Sequence, residues 1–125
     1  MITINTEHII KSLQELHPEG LILFGSHSKG CARKDSDIDI AFLSSKSFSE
    51  YDVFCKAEAL ASELNCDINL INLQNASTVF AYNILTSGTI LQISNDYHWN
   101  RFSYLTYSLY AKLNEERHEI LTAVS

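Results

Sequence analysis

The sequence predicts an α+β fold, close to the α/β type, with a small mixed central sheet flanked by helices. Three observations predict it. A continuous apolar run at residues 21–24 ends in glycine, residues 37–43 alternate between polar and apolar, and a helical pattern runs from residue 96 onward. Because no repeat or Pro/Gly-rich linker interrupts these 125 residues, we expect one domain over 1–125.

The N-terminal elements are predicted from the spacing of apolar residues and from the position of Pro18. A first helix is predicted to begin with Asn5 or Thr6 as its N-cap and to end before Pro18. We expect residues 18–20 to form a turn and residues 21–24 to form a strand that is buried on both faces. The predicted inward face of the helix consists of Ile9, Ile10, Leu13 and Leu16.

The later elements alternate strands with helices. Residues 37–43 are predicted to form a second strand, and Ser49 is predicted to cap a helix with Asp52 three residues on. Gly88 is predicted to end a short helix that starts near residue 76. The predicted third and fourth strands cover residues 67–71 and 89–93, and a long helix begins at residue 96. The side chains expected along the inner side or edge of the Ser49 helix are Tyr51, Phe54, Ala57, Glu58, Ala61 and Leu64.

Composition narrows the class of protein. The formal net charge is -6 without a Lys/Arg cluster, so duplex nucleic acid is not an expected partner. Three irregularly spaced cysteines favour a reducing cytoplasm over a disulfide framework or a zinc site. No apolar run reaches membrane-spanning length and no signal peptide is recognisable, so we expect no membrane association.

An Asp-x-Asp pair carries the clearest chemical signal. Side chains alternate along a strand, so Asp37 and Asp39 project from one face and can share a cation. Asp67 opens another predicted strand and would complete a three-carboxylate cluster suited to Mg²⁺ or Mn²⁺ together with substrate phosphates. The non-functional alternative for Asp37 and Asp39 is a half-solvated strand whose aspartates lie in water, and for Asp67 it is a turn residue. Aspartate is disfavoured in strands, which argues against the alternative for Asp37 and Asp39.

A glycine-serine turn lies upstream of this pair. Gly25 and Ser26 follow the buried strand, where free backbone N–H groups and the Ser26 hydroxyl can hold a phosphate. Gly30 would allow a close approach of the backbone. The positive charge available against a triphosphate comes from Lys29, Arg33 and Lys34.

The run from Gly25 to Ile40, GSHSKGCARKDSDIDI, resembles the signature of the DNA-polymerase-β-type nucleotidyltransferase superfamily. More narrowly, it is similar to the minimal nucleotidyltransferases that are paired with HEPN-type toxins. The likeness extends to residues 67–70 and 84–91, where the family has its third aspartate strand and a helix-glycine-strand element. His27 and Ser28 depart from the arginine-alanine pair that is common in the family after the glycine-serine turn.

The resemblance implies a nucleotidyltransferase fold and specific roles. Asp37 and Asp39 would each bind both of two Mg²⁺ ions, and Asp67 would bind one and help to deprotonate the attacking hydroxyl. Two metal ions about 4 Å apart can activate the attacking oxygen and stabilise the leaving pyrophosphate. The residues expected to bind the nucleotide are Gly25, Ser26, Lys29, Gly30 and Ser36.

Three functions compete. The resemblance favours an antitoxin that transfers AMP from ATP to a hydroxyl of a cognate HEPN-type ribonuclease toxin. The expected acceptor is a tyrosine hydroxyl, and the two proteins are expected to form a hetero-oligomer. The first alternative is nucleotidyl transfer to a small molecule, although the chain has no evident substrate domain. The second is a non-catalytic antitoxin that blocks its partner by binding, against which the intact carboxylate set argues.

The C-terminal helix offers a second surface. At about 100° per residue, five of its apolar residues form a stripe roughly 80° wide that is the expected core-facing seam. Three tyrosines at positions 104, 107 and 110 miss this seam, and we expect them to dock a protein partner. The alternative is that one or two of them pack at the edge of the core. The seam residues are Phe102, Leu105, Leu109, Leu113 and Ile120.

Overall fold

A computed structural model describes residues 6–25 and 37–124 of the protein, with side chains up to residue 117. The helices are α1 (Thr6–Leu13), α2 (Glu50–Leu64), α3 (Thr78–Ser87) and α4 (Asp96–Val124), and short 3-10 turns follow α1 and β3 at Gln14–Leu16 and Leu73–Asn75. The strands are β1 (Pro18–Phe24), β2 (Ile38–Ser44), β3 (Ile68–Asn72) and β4 (Thr89–Ile93). The α+β class is confirmed, and β4 has the predicted bounds.

The four strands form one mixed sheet in the order β3-β2-β1-β4. β1 pairs antiparallel with both β2 and β4, whereas β2 and β3 are parallel. β1 and β2 are therefore central and are buried along almost their whole length, as the apolar run in β1 predicts. β3 lies at one edge of the sheet.

Helices cover both faces of the sheet. α1 and α2 pack over a core that contains Leu21, Ile40 and Phe42. α3 and α4 pack on the other face over Ile22, Ala41 and neighbouring side chains. Because strand side chains alternate, the face of β2 that carries Asp39 is the face that α3 and α4 cover further along the strand.

The predicted turn at residues 18–20 is wrong. The reversal takes place one residue earlier, at His17, which has a left-handed backbone with φ 49. Pro18 is already the first residue of β1, opposite Ser44 of β2, where its missing N–H costs little. Gly20 lies inside β1 because the Trp99 ring of α4 packs directly on it, in the space that a Cβ atom would fill.

Ser49 caps α2 as predicted, since its hydroxyl accepts a hydrogen bond from the Asp52 N–H at 3.0 Å. The inner face differs from the prediction. Ala57 and Leu60 are its buried residues, whereas Tyr51 and Phe54 are 73% and 60% exposed. Phe54 lies beside β3, which among the described strands forms this edge of the sheet.

The predicted seam of α4 is wrong for its three leucines, because the helix is rotated from the predicted orientation. Leu105, Leu109 and Leu113 are exposed, whereas Trp99 and Thr106 are buried. Phe102 packs against the core as predicted and is partly buried. The side chain of the other seam residue, Ile120, lies outside the described residues. Two long-range contacts set the rotation. Trp99 packs on Gly20, and Tyr110 stacks on Tyr82 of α3 with ring centroids 3.7 Å apart.

This rotation also changes the environment of the three tyrosines. Tyr110 is half-buried and stacks on Tyr82 of α3, as the core-edge alternative predicts. Tyr107 makes an edge-to-face contact with Tyr82 at 5.8 Å but keeps 42% of its surface exposed. Tyr104 is 69% exposed. Docking by Tyr104 and Tyr107 stays a prediction.

α3 ends before Gly88 as predicted, and it begins at Thr78, two residues after the predicted start. Ser77 caps it by accepting from the Phe80 N–H at 3.2 Å, and Gly88 follows its last turn. Gly88 is not in a left-handed conformation. It is needed because a Cβ atom would lie 2.7 Å from the Ile84 carbonyl oxygen and 2.8 Å from Ile22 Cδ1. Among the helices in the described ranges, none is both long and apolar enough to cross a bilayer.

Candidate active site

The parallel register of β2 and β3 brings together three polar side chains, those of Asp37, Asp39 and Asn69, and this group is called the corner below. Asp39 is paired with Asn69, and the Asn69 side chain projects from the same face as Asp39. The Asn69 amide nitrogen donates to Asp39 Oδ1 at 2.8 Å and to Asp37 Oδ2 at 3.2 Å. Because one nitrogen bridges both carboxylates, the structure brings Asp37 and Asp39 together, as predicted.

Gly25, which follows β1, borders the corner next to Asp39. It directly follows Phe24, the β1 residue that pairs with Asp39, and has a left-handed backbone with φ +74. A Cβ atom at this position would overlap the Asp39 carboxylate. Gly25 therefore provides both the conformation and the space that this corner requires. The other predicted nucleotide-binding residues, Ser26, Lys29, Gly30 and Ser36, lie outside the described residues, as do Arg33 and Lys34.

Asp67 directly precedes β3. Its carbonyl oxygen accepts from the Ile38 N–H at 2.9 Å, which places its backbone beside the start of β2. Burial raises the pKa of the nearby Cys66 thiol, and the negative charges of Asp67 and Asp37 raise that pKa further. Both carboxylates therefore act on the same neighbouring side chain.

Asp67 is not drawn into one cluster with the other two carboxylates. Over the part of the chain that the structure describes, no three His, Cys, Asp or Glu side chains converge closely enough to hold a metal ion. The role of Asp67 as a metal ligand stays a prediction.

The donor set at the corner fits a hard divalent cation. Two carboxylates on one strand face are held within a few ångströms of each other by a shared hydrogen-bond donor. Carboxylate oxygens of this kind suit Mg²⁺, which usually keeps several waters and takes one or two carboxylates together with substrate phosphates. A cation here would also offset the repulsion between the two carboxylates.

Asn69 is the site residue that the sequence prediction missed. The signal was available, because Asp67-Ile68-Asn69 repeats the spacing of Asp37-Ile38-Asp39. A polar residue two positions after Asp67 has to share its strand face. An amide is less distinctive than a carboxylate in sequence, and its bridging role depends on the parallel pairing of β2 with β3.

Residues 7–97 match the polymerase beta nucleotidyltransferase family. The chain belongs to this family.

Individual relatives narrow the comparison. The chain is 35% identical to the protein adenylyltransferase MntA of Shewanella oneidensis over 126 residues, which is 99% of this chain and 90% of that protein. It is also similar to a chain in the crystal structure of a toxin-antitoxin with AMP-PNP, with a TM-score of 0.85 and 35% identity over 97% of this chain and 98% of that chain.

A third similarity is to a re-refined structure of tri-AMPylated Shewanella oneidensis HEPN toxin in complex with MNT antitoxin. Its TM-score is 0.77 at 34% identity, covering 96% of this chain and 95% of that one. The predicted nucleotidyltransferase fold and the resemblance to minimal nucleotidyltransferases paired with HEPN-type toxins are both confirmed. The ATP analogue in the second structure also supports ATP as a ligand of this fold.

Proposed function

We propose that the protein is an antitoxin that transfers AMP from ATP to a hydroxyl, expected to be a tyrosine hydroxyl, of a HEPN-type ribonuclease toxin. The observation that carries this proposal is the corner at which Asn69 bridges Asp37 and Asp39 beside Gly25. The described relatives point the same way, since one is a protein adenylyltransferase and another is bound to an AMPylated toxin.

The proposed reaction replaces one bond with another. The acceptor hydroxyl oxygen forms a bond to the α-phosphorus of ATP, the bond from that phosphorus to the α–β bridging oxygen breaks, and pyrophosphate leaves. Asp67 receives the hydroxyl proton in this scheme. Two Mg²⁺ ions, when bound, supply the positive charge that activates the attacking oxygen and stabilises the pyrophosphate.

The residues of the chain have separate proposed roles. Asp37 and Asp39 would hold both cations and Asp67 would hold one, while Asn69 orients the first two carboxylates through its amide. The backbone at Gly25 lies close enough to Asp39 to bring nucleotide phosphates against the cations. The remaining proposed phosphate and nucleotide contacts are Ser26, Lys29, Gly30 and Ser36.

The compartment proposed for this reaction is the cytoplasm, where ATP is available and thiols stay reduced. Cys55 and Cys66 are both free thiols in the structure, and free thiols are typical of that environment. A stable complex between the antitoxin and its toxin is part of the proposal.

A transfer assay with α-labelled ATP tests this function. Unmodified Shewanella oneidensis HEPN toxin serves as the protein acceptor and kanamycin as the small-molecule acceptor, each with and without Mg²⁺. Label on the toxin that requires Mg²⁺ and abolishes its ribonuclease activity is the expected result. Label on kanamycin alone would support small-molecule transfer, and loss of ribonuclease activity without label would support a non-catalytic blocker.

A further inference from the structure

An open cleft of about 550 Å³ runs along β3. All five residues of the strand line it, from Ile68 to Asn72. Since successive strand side chains point to opposite faces, five consecutive residues can line one cleft only if it follows the outer edge of the strand. α2 forms one wall, through residues such as Phe54, and α3 with the segment before it forms the other, through Phe80.

The strand offers hydrogen-bonding groups to this cleft. The Asp67 carbonyl accepts from the Ile38 N–H and so points toward β2. Backbone groups of successive strand residues point alternately to opposite edges, so the N–H and C=O groups of Ile68 and Leu70 point away from β2 and into the cleft. Within the described residues β3 pairs with β2 alone. Such an edge is a template for an added strand.

The cleft leads to the carboxylates. Asn69 lines it and also donates to Asp37 and Asp39. On the opposite wall, the Phe80 ring packs edge-to-face on the Phe24 ring, with ring centroids 5.9 Å apart. Phe24 directly precedes Gly25 in the sequence. An extended segment along β3 would therefore place one of its side chains at the candidate active site.

Charge and apolar surface define the segment that fits. Phe54 and Phe80 leave 60% and 40% of their surfaces exposed in the cleft walls, which suits apolar side chains at alternate positions. Glu50 and Glu58 are exposed at the α2 wall, and no lysine or arginine occurs among the described residues that line the cleft. A basic segment complements this charge.

We propose that the β3 edge docks the acceptor: an extended, basic segment of the protein substrate pairs with Ile68 and Leu70 as a fifth strand and presents its hydroxyl to the Asp37–Asp39 corner. This inference rests on the proposed protein adenylyl transfer. It adds where the acceptor binds and which chemistry selects it.

Peptide binding tests the docking separately from the transfer reaction. The probe is a fluorescent peptide of alternating lysine and valine with a central tyrosine, and its counterpart carries glutamate in place of lysine. We expect the basic peptide to bind at least ten-fold more tightly than the acidic one. We also expect it to slow hydrogen exchange at the Ile68 and Leu70 amides. Equal binding of the two peptides, or unchanged exchange at both amides, overturns the proposal.

Cleft variants connect docking to catalysis. Phe54→Ser and Glu58→Lys change exposed residues of the α2 wall, and Glu7→Lys is the matched charge control on the exposed side of α1. With the HEPN toxin as acceptor, we expect both cleft variants to raise the KM for the toxin about five- to ten-fold. The affinity for ATP and the activity of Glu7→Lys should stay at wild-type values.

The outcomes separate the two proposals. A wild-type KM for the toxin in both cleft variants, with normal labelling, overturns docking at β3 and leaves the transfer function standing. Absence of label with the wild-type chain overturns the transfer function and the acceptor role of the cleft together. A peptide that binds in that case shows an edge-strand site without this acceptor role.

Discussion

Gly25 and Asp39 are in such close contact that the Asp39 carboxylate occupies the place where a side chain on Gly25 would begin. The same glycine has a positive φ of 74, a region that other residues enter at a cost of about 1–2 kcal/mol. Gly25 thus makes two separate contributions to the corner, one through backbone conformation and one through space.

Gly25→Ala should therefore destabilise the fold and displace the Asp39 carboxylate. We expect the free energy of unfolding, measured by urea denaturation, to fall by at least about 1–2 kcal/mol from the backbone term alone, together with a large loss of transfer activity. In the Asp39→Ala background the overlap disappears while the positive φ remains, so Gly25→Ala should cost less stability there. An equal cost in both backgrounds would contradict the contact.

Asp37→Ala and Asp39→Ala should each abolish Mg²⁺-dependent transfer while preserving the fold. The two carboxylates repel each other in the absence of a cation, so each variant should be as stable as the wild type or slightly more stable without Mg²⁺. The checks are labelled-AMP transfer and thermal unfolding with and without Mg²⁺. Wild-type turnover in either variant would remove that aspartate from the site.

The alternation in β2 and the N-cap at Ser49 could be predicted because both depend on residues that are close together in the sequence. The rotation of α4 could not be predicted. The leucine stripe has helical periodicity, but it does not specify which face of the helix its neighbours cover. Trp99 on Gly20 and Tyr110 on Tyr82 decide that, and both contacts join residues far apart in the sequence.

The candidate site shows the same division. Two carboxylates on one face follow from the period of a strand, whereas the amide that joins them comes from another strand. Pairing Asp39 with Asn69 requires knowing that β2 and β3 are parallel and in that register. The sequence predicts the parts of this corner better than their connection.

Asn69→Ala should weaken catalysis without abolishing it. Removal of the bridging amide leaves both carboxylates in place but less well oriented, and changes to groups that orient metal ligands typically cost 10- to 100-fold in metal affinity or activity. We expect a loss of about ten-fold or more in kcat/KM for ATP, with a shift of the Mg²⁺ dependence to higher concentrations. Asn83→Ala makes the same change on the exposed side of α3 and should behave as wild type. A normal Mg²⁺ dependence in Asn69→Ala would argue against an orienting role.

The Cys66 thiol reports on Asp67. Burial, followed by the charges of Asp67 and Asp37, raises its pKa above the ordinary value, so the reactive thiolate should form only at higher pH. Asp67→Asn removes one of these causes. We expect the pKa to fall while staying above the ordinary value, because burial is the largest cause and remains.

The measurement is the rate of alkylation by iodoacetamide as a function of pH, with Cys31→Ser and Cys55→Ser leaving Cys66 as the single thiol. Mg²⁺ should lower the midpoint in the wild-type background if Asp37 and Asp67 help to hold the cation, since bound positive charge favours the thiolate. An unchanged midpoint in Asp67→Asn would place the Asp67 carboxylate too far from Cys66 to act on it.

The stacked pair of Tyr82 and Tyr110 holds α4 against α3, whereas Tyr104 points away from it. Tyr110→Ser should lower the free energy of unfolding by about 0.5–1.5 kcal/mol from the aromatic pair, and by more once lost burial is included. Tyr104→Ser should change that free energy by less than about 0.5 kcal/mol, as is usual for exposed positions. Urea denaturation of Tyr104→Ser, Tyr110→Ser, Tyr82→Ser and the Tyr82→Ser/Tyr110→Ser double variant provides the test. In the double variant, the loss should be smaller than the sum of the Tyr82→Ser and Tyr110→Ser losses, because the stacked contact can be removed only once. A stable Tyr110→Ser variant would mean that the stack does not fix the rotation of α4, which would leave the packing of Trp99 on Gly20 as the contact that does.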